Sequence, residues 1–203
     1  MKRFFAAAIC AFACTSTAGA AVGYPQGGGP NNVVIALATG ADGTTSEHVN
    51  IQAAPVASDT VASSNLAIAT SVNCTGCHSA AIAVQVVIVF GSPSVFIPAN
   101  VASATNGGCT ACAAYAYAWQ DVIQEPGPAY LSPTARMEIA QLRQQISDDV
   151  AAGAPWTLAA ADALTDQLDA LTAQLEAVVE SEVILAGGSP GAPPDRSVQS
   201  ASD

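Results

Sequence analysis

Two pairs of cysteines are the side chains of this sequence whose type and spacing could do chemistry. Cys74-Thr75-Gly76-Cys77 and Cys109-Thr110-Ala111-Cys112 share the Cys-x-x-Cys spacing, and the second pair begins 35 residues after the first. Paired cysteines can close disulfides, donate thiolates to a metal ion, exchange disulfides with another protein or hold a haem covalently. The rest of the sequence has to decide between these four chemistries.

Disulfides are the preferred interpretation, because the N-terminus predicts export and oxidising compartments turn paired cysteines into bridges. Bridges between the motifs, Cys74–Cys109 and Cys77–Cys112, would close loops of 36 residues. They would stabilise by about 4 kcal/mol each, against about 2 kcal/mol for a bridge within one motif. Local bridges need no long-range geometry, so we expect Cys74–Cys77 and Cys109–Cys112, although the spacing alone leaves the connectivity open.

A metal site is the first alternative. Cys74, Cys77, Cys109 and Cys112 supply four thiolates, with 31 residues between the two motifs, and four thiolates suit zinc. Neither motif has the glycine that usually follows a cysteine pair in a zinc knuckle. Thiol–disulfide exchange is less favoured, because redox cysteine pairs usually begin a helix. Here a strand-like run follows each motif.

A c-type haem is the second alternative, because Cys74, Cys77 and His78 match the Cys-x-x-Cys-His attachment motif. The second motif has Ala113 in place of the histidine, and β-branched residues follow His78 where a helix would be usual. His48 and Met137 are the candidates for a second axial ligand, and no pattern places either of them. We therefore predict no haem and no other cofactor, with His78 as a turn residue.

The cysteines lie inside a longer repeat. Each copy reads Asn-x-Ala-x-Ala-Thr, then Cys-Thr-x-Cys, then Ala-x-Ala-x-Gln-x-Val-Ile, over residues 65–88 and 100–123. In the last segment alternate residues are the same in both copies, and side chains alternate faces along a strand. We expect the preserved, small face to be interior, where Gln85 and Gln120 would need hydrogen-bond partners and are candidates to bond each other. Each copy is predicted to be a hairpin with the cysteines in its connection, and residues 35–39 resemble a third copy without cysteines.

Two helices are predicted after the repeats. Ser132-Pro133 is a typical helix start, and apolar residues then recur at spacings of three and four up to a stop at 153–155. A longer helix follows and ends before Gly187-Gly188. The sequence therefore predicts an α+β fold. Residues 32–125 would form an antiparallel sheet from two pseudo-repeats with a 35-residue period, and residues 132–186 an antiparallel helical hairpin.

The N-terminus predicts export. Lys2-Arg3, an apolar run to Cys14 and small residues ending at Ala20 are typical of a signal peptide over residues 1–20. A lipoprotein leader with Cys14 lipidated is a poorer match, because Phe12 is unusual before such a cysteine. Residues 21–31 are expected to be a flexible lead-in and 187–203 a disordered tail. No other apolar run reaches transmembrane length, so we predict a secreted or extracytoplasmic protein.

The charge balance excludes one class of partner. Sixteen acidic residues stand against five basic ones, for a net charge of −11. Nucleic-acid binding depends on cations that neutralise phosphates, so it is excluded. No nucleophile–base arrangement or phosphate-binding glycine loop occurs. The sequence favours a non-enzymatic structural or interaction protein with an unidentified protein partner; the alternative is a redox or metal protein that uses the cysteine pairs.

The tandem pattern, preceded by an Asn-Val-Val strand and followed by a helical hairpin, resembles a family of exported bacterial proteins of unknown function. The resemblance covers about residues 31–185. It implies export, and it implies no particular activity, cofactor or site residue. This chain lacks the basic residues that such sequences tend to carry between the first strand and the first repeat.

Overall fold

The computed structural model describes residues 29–127, 131–185, 187 and 193–202. The predicted signal peptide, Cys14 and most of the predicted lead-in lie outside these residues. The described part contains nine strands and two helices. They are β1 (Asn31–Thr39), β2 (Thr45–Val56), β3 (Thr60–Val61), β4 (Ser64–Val72), β5 (His78–Phe90), β6 (Val95–Phe96), β7 (Ala99–Gly107), β8 (Ala113–Glu125), α1 (Pro133–Gly153), α2 (Leu158–Leu185) and β9 (Asp195–Ser202).

The sheets are mostly parallel, so the predicted antiparallel sheet is wrong. Strands β1, β4 and β7 form a three-stranded parallel sheet. Strands β2, β5 and β8 form a second parallel sheet, to which β9 adds an antiparallel edge, making it four-stranded. β4 and β5 are consecutive in the chain but lie in different sheets, so neither repeat is a hairpin. Each strand pairs with its copy in the next repeat, and the class of the fold is α+β.

The chain therefore winds as a short β-solenoid, a coil in which each turn, or rung, stacks on the one before. The rungs are β1–β2, β4–β5 and β7–β8. Asn65 pairs with Asn100 and Gln85 with Gln120, an offset of 35 residues. The offset between the first two rungs is 33 residues, with Ile35 opposite Ile68. Residues 35–39 resemble residues 66–70 in sequence, but in the structure they pair with residues 68–72, two positions further along.

The space between the two sheets is filled by small side chains and by amide ladders. The preserved face is interior as predicted, with Ala83 and Ala118 fully buried in an alanine-rich cluster. Because alanine side chains are small, the two sheets pack closely against each other here. Gln120 Nε2 donates to Gln85 Oε1 at 2.7 Å, so the two candidates are partners. A second ladder, unforeseen, runs from Asn32 through Asn65 to Asn100; its members are joined at 2.9 and 2.8 Å.

The opposite face of the four-stranded sheet is also buried, because the helices cover it. Ser132 caps α1 as predicted, its Oγ accepting a hydrogen bond from the Ala135 backbone N–H at 3.1 Å. The apolar stripes of both helices pack on β5 and β8. Tyr117 is fully buried, and its hydroxyl donates to Asp169 Oδ1 on α2 at 3.0 Å. Neither described helix is long and apolar enough to cross a membrane.

The predicted disordered tail is wrong for residues 195–202, which form β9. This strand pairs antiparallel with β8, and its side chains reach the edge of β7 that faces away from β4. Gln199 Oε1 accepts from the Ala104 backbone N–H at 2.7 Å, and Ser197 Oγ accepts from Ala102 N–H at 3.1 Å. Arg196 forms a salt bridge with Asp169 on α2. The polar sequence of β9 has no apolar alternation, because its partners are backbone groups and not a core.

Candidate functional site

The two cysteine motifs lie in connections of five residues, one directly above the other. The backbone ladder of the sheets continues through these connections. Gly76 N–H donates to Thr110 O at 2.9 Å, and Ala113 N–H donates to Cys77 O at 3.0 Å. Thr75 and Thr110 form an isolated parallel bridge between them. The stacking of the rungs, and not the cysteines themselves, therefore fixes the relative position of the motifs.

Both connections turn by the same means. Each has one residue of left-handed conformation before its first cysteine and another before its second. Asn73 and Gly76 have φ of 55° and 64°, and Gly108 and Ala111 have φ of 60° and 53°. Glycine and asparagine are the residues that tolerate this region best. Of these four residues, Ala111 is the one whose side chain disfavours the left-handed conformation.

Two disulfides close within the motifs, as expected. Cys74 is bonded to Cys77, and Cys109 to Cys112, with Cα–Cα distances of 6.1 and 5.8 Å. Both distances lie in the ordinary range for disulfides. Across the rungs, Cys74 Sγ and Cys109 Sγ are only 3.8 Å apart. The sequence-predicted site residues are thus brought together as a single four-sulfur cluster.

The cluster is largely shielded from solvent. Cys77 is fully buried, Cys74 and Cys112 are nearly so, and Cys109 is partly exposed. The sulfurs have carbonyl oxygens around them. Cys77 Sγ lies 3.3 Å from Ala41 O, and Cys112 Sγ lies 3.5 Å from Cys74 O. Carbonyl dipoles oppose a thiolate and accept a hydrogen bond from a thiol, so the site as folded favours disulfides or protonated thiols over free thiolates.

Neither motif begins a helix. Strand β5 follows the first motif and β8 follows the second, as the sequence predicts. A helix N-terminus, which lowers the pKa of the attacking cysteine in redox proteins, is therefore missing from both motifs. This arrangement gives thiol–disulfide exchange no activated sulfur among the described residues.

His78 is the first residue of β5 and not the predicted turn residue. Its ring stacks on Trp156, just before α2, with centroids 4.7 Å apart and an interplanar angle of 11°. Burial lowers the pKa of His78. A haem would need this ring as an iron ligand and both sulfurs of the first motif as thioethers. The ring packs on an indole and the sulfurs form a disulfide, so these residues do not fit a haem. His48 and Met137 lie exposed on β2 and α1.

A buried carboxylate that the sequence analysis did not single out lies under α2. Asp121, on the helix-covered face of β8, is 2% exposed, and its Oδ2 has no hydrogen-bond partner among the described residues. Burial, together with the nearby carboxylates of Glu176 and Glu180, raises the pKa of Asp121 to about 7. Its signal in the sequence is an aspartate within an otherwise apolar alternation, opposite Val86 of β5.

No family model matches the chain, and neither a curated protein nor a solved structure shows significant similarity to it.

Proposed function

We propose that this chain is a non-enzymatic, extracytoplasmic structural protein that associates with copies of itself through the outward face of its three-stranded sheet. The observation that carries the proposal is the chemistry of that sheet. None of the residues of β1, β4 and β7 is charged, in a chain with sixteen acidic residues. Exposed apolar surface of this kind typically marks an interaction site.

The outward face is apolar in its first two strands and at the start of the third. Val33, Ile35 and Leu37 of β1 are each about half exposed, as is Val101 of β7. Leu66 and Ile68 of β4 are half-buried between them. Towards the cysteine turns the face becomes hydroxylic, with Thr70 and Thr105 Oγ1 atoms 3.2 Å apart.

The lack of charged residues on this face is what allows a second copy to approach it. Two molecules of net charge −11 repel each other, and the repulsion is least where no carboxylate faces the partner. Flat β-sheet faces with branched apolar side chains pack on one another at a separation of about 10 Å. Three strands of nine residues present a face of roughly 30 by 14 Å. A face of this size is below the standard for permanent complexes, so the association is weak and reversible.

Two features support a location outside the cytoplasm. The first 20 residues have the pattern of a signal peptide. The two disulfides are bonds that persist in oxidising compartments and are rare in the cytosol. The same location is what the resemblance to exported bacterial proteins implies.

Sedimentation velocity over a concentration series tests the proposal. The unmodified protein should sediment faster as its concentration rises, in a monomer–dimer equilibrium. The double variant Ile35→Lys/Ile68→Lys places two cations on the face and should sediment as a monomer throughout. Met137→Lys is the matched control, because it makes the same change at an exposed apolar residue of α1 and should leave the equilibrium intact.

Circular dichroism checks that the double variant still folds. It should have the same spectrum and melting temperature as the unmodified protein. A sedimentation coefficient that does not depend on concentration for the unmodified protein would overturn the proposal. Association that the double variant retains would do so as well, and would move the contact to another surface.

A further inference from the structure

The four sulfurs form a cluster whose scaffold does not depend on the disulfides. Hydrogen bonds of the parallel ladder tie one motif to the other, including Gly76 N–H to Thr110 O and Thr110 N–H to Cys74 O at 3.3 Å. The flanking strands β4–β7 and β5–β8 remain paired in register on both sides. Reduction of the two S–S bonds would therefore leave four thiols facing one another.

The distance between two of the sulfurs already matches that of a tetrathiolate metal site. Zinc binds cysteine sulfur at about 2.3 Å in a tetrahedron, which places the sulfurs about 3.8 Å from each other. Cys74 Sγ and Cys109 Sγ are already 3.8 Å apart. The sulfurs of Cys74, Cys109 and Cys112 all lie within 4.8 Å of one another, and Cys77 Sγ is bonded to Cys74. To complete a tetrahedron, the two bonded pairs have to separate and Cys77 Sγ, which lies outside this group of three, has to move towards the second motif.

We propose that the reduced protein binds one Zn²⁺ ion through Cys74, Cys77, Cys109 and Cys112. This inference is independent of self-association, which uses the outward face of the three-stranded sheet. A phosphine or dithiol reductant supplies four electrons, and four protons from solvent complete the four thiols. Zinc then displaces those four protons and forms a complex of charge −2. The same four cysteines can thus cross-link these turns in two alternative ways, by two disulfides or by one metal ion.

The surroundings favour a soft metal over free thiolates. The carbonyl oxygens of Ala41 and Cys74 accept hydrogen bonds from thiols, so the reduced apo site holds its protons until a cation replaces them. A bound metal lowers the pKa of its cysteine ligands and makes thiolates at neutral pH. Partial exposure of Cys109 gives the ion a route of entry, and burial of Cys77 excludes water once the ion is bound. Four sulfurs in tetrahedral array select zinc among the common divalent ions.

Cobalt substitution tests the inference. The full chain carries Cys10→Ser and Cys14→Ser, so that its only thiols are the four of the cluster. Reduced under nitrogen and titrated with Co²⁺, it should show the visible bands of tetrahedral cobalt and the sulfur-to-metal charge-transfer band, saturating at one ion per chain. Zinc should displace the cobalt stoichiometrically, and zinc added to the reduced, metal-free protein should release close to four protons. The oxidised protein should bind neither ion.

Two variants of this background serve as comparison. Cys109→Ser/Cys112→Ser removes two ligands and should lose the cobalt spectrum, while its circular dichroism in the oxidised state reports whether it folds with the first disulfide alone. Thr110→Ser alters the same turn without touching a ligand and should bind as the parent does. Absence of a one-to-one complex in the reduced parent would overturn the inference. An unchanged spectrum in the double-serine variant, or release of fewer than two protons per zinc, would also overturn it.

Discussion

At the scale of single residues, Ala111 and Gly76 occupy the same place in two stacked turns, but the left-handed backbone there is strained for alanine and not for glycine. Both have left-handed φ, 53° for Ala111 and 64° for Gly76, and only glycine takes that conformation freely. A side chain at Gly76 would meet no atom within 4 Å, so a substitution there acts on the backbone alone. Substitutions at these two positions therefore report the strain of the left-handed backbone, with little contribution from side-chain packing.

Ala111→Gly should raise the free energy of unfolding by about 0.5–1 kcal/mol, because the relief of the left-handed alanine exceeds the entropy that glycine adds to the unfolded chain. Gly76→Ala should lower it by about 1 kcal/mol for the converse reason. Chemical denaturation of both variants with disulfides intact measures the two values. Equal and opposite effects are not required, but a loss of stability in Ala111→Gly would refute the assignment of strain.

Asp121 predicts how stability depends on pH. Its pKa is about 7 in the folded protein and near 4 in the unfolded chain. Between these values the folded protein binds more protons than the unfolded chain. The free energy of unfolding should therefore fall as the pH rises from about 4 to about 7, and level off above 7. Glu176 and Glu180 on α2 face the same carboxylate and act in the same direction, and the Val122 backbone N–H partly opposes them.

Asp121→Asn should remove much of this dependence and stabilise the protein at pH 8, on the order of 1–3 kcal/mol. Thermal unfolding of the variant from pH 4 to pH 8 measures the effect. Asp166→Asn makes the same change of charge at an exposed position of α2 and should alter the curve little. If the two variants shifted the melting temperature equally at pH 8, net charge and not the buried carboxylate would be responsible.

At the scale of elements, the two faces of β5 differ in what can yield to a larger side chain. Ala83 and Val84 are both fully buried, one between the two sheets and the other under the helices. The alanine layer is bounded by two hydrogen-bonded backbones. The helix-covered face is bounded by long side chains that can change rotamer.

Ala83→Leu should therefore cost about 1–3 kcal/mol, and Val84→Leu less than about 1.5 kcal/mol. Urea denaturation followed by far-ultraviolet circular dichroism measures both. Ala118→Leu, the counterpart of Ala83 in the next rung, should cost as much as Ala83→Leu. A larger cost for Val84→Leu than for either alanine would mean that the inter-sheet layer is loosely packed.

The helices and strands also show how much of the fold can be predicted from the sequence. Periodicity identifies the helices, most of the strand positions and the interior face of β5, because burial imposes those patterns. Periodicity does not identify which strands pair with each other, because a β-hairpin and a β-solenoid place the same side chains in the interior. The recurrence of Asn65 and Gln85 at fixed repeat positions, as Asn100 and Gln120, was the signal for stacked rungs, because amides stack along a ladder. The tight spacing favoured the local disulfides but left their connectivity open, whereas the short distance between Cys74 and Cys109 follows only from the stacking.

At the scale of the whole molecule, β9 closes the last rung. It pairs with the edge of β8, and its side chains accept hydrogen bonds from two N–H groups of β7. An unprotected edge strand recruits other strands. Removal of residues 195–203 would expose the β8 edge and leave those β7 donors without their partners.

A chain that ends at residue 194 should therefore be less stable and should aggregate, which light scattering during thermal unfolding and urea denaturation would both detect. Arg196→Ala is the control, because it breaks only the partly exposed salt bridge to Asp169 and should cost no more than about 1 kcal/mol. A truncated chain as stable and as soluble as the complete one would show that β9 does not protect this edge.

The position of β9 in the chain has a consequence for biosynthesis. Strand β5 meets its neighbour β2, and β8 meets β5, within one rung of chain length. The β8 edge, by contrast, waits for a strand that lies beyond both helices. At the usual rates of translation of about 5–20 residues per second, the chain between β8 and the end of β9 takes roughly 4–15 seconds to make. A chain that folds as far as β8 before β9 is available carries an open strand edge, and the longer the helical segment between these strands, the longer that edge stays exposed.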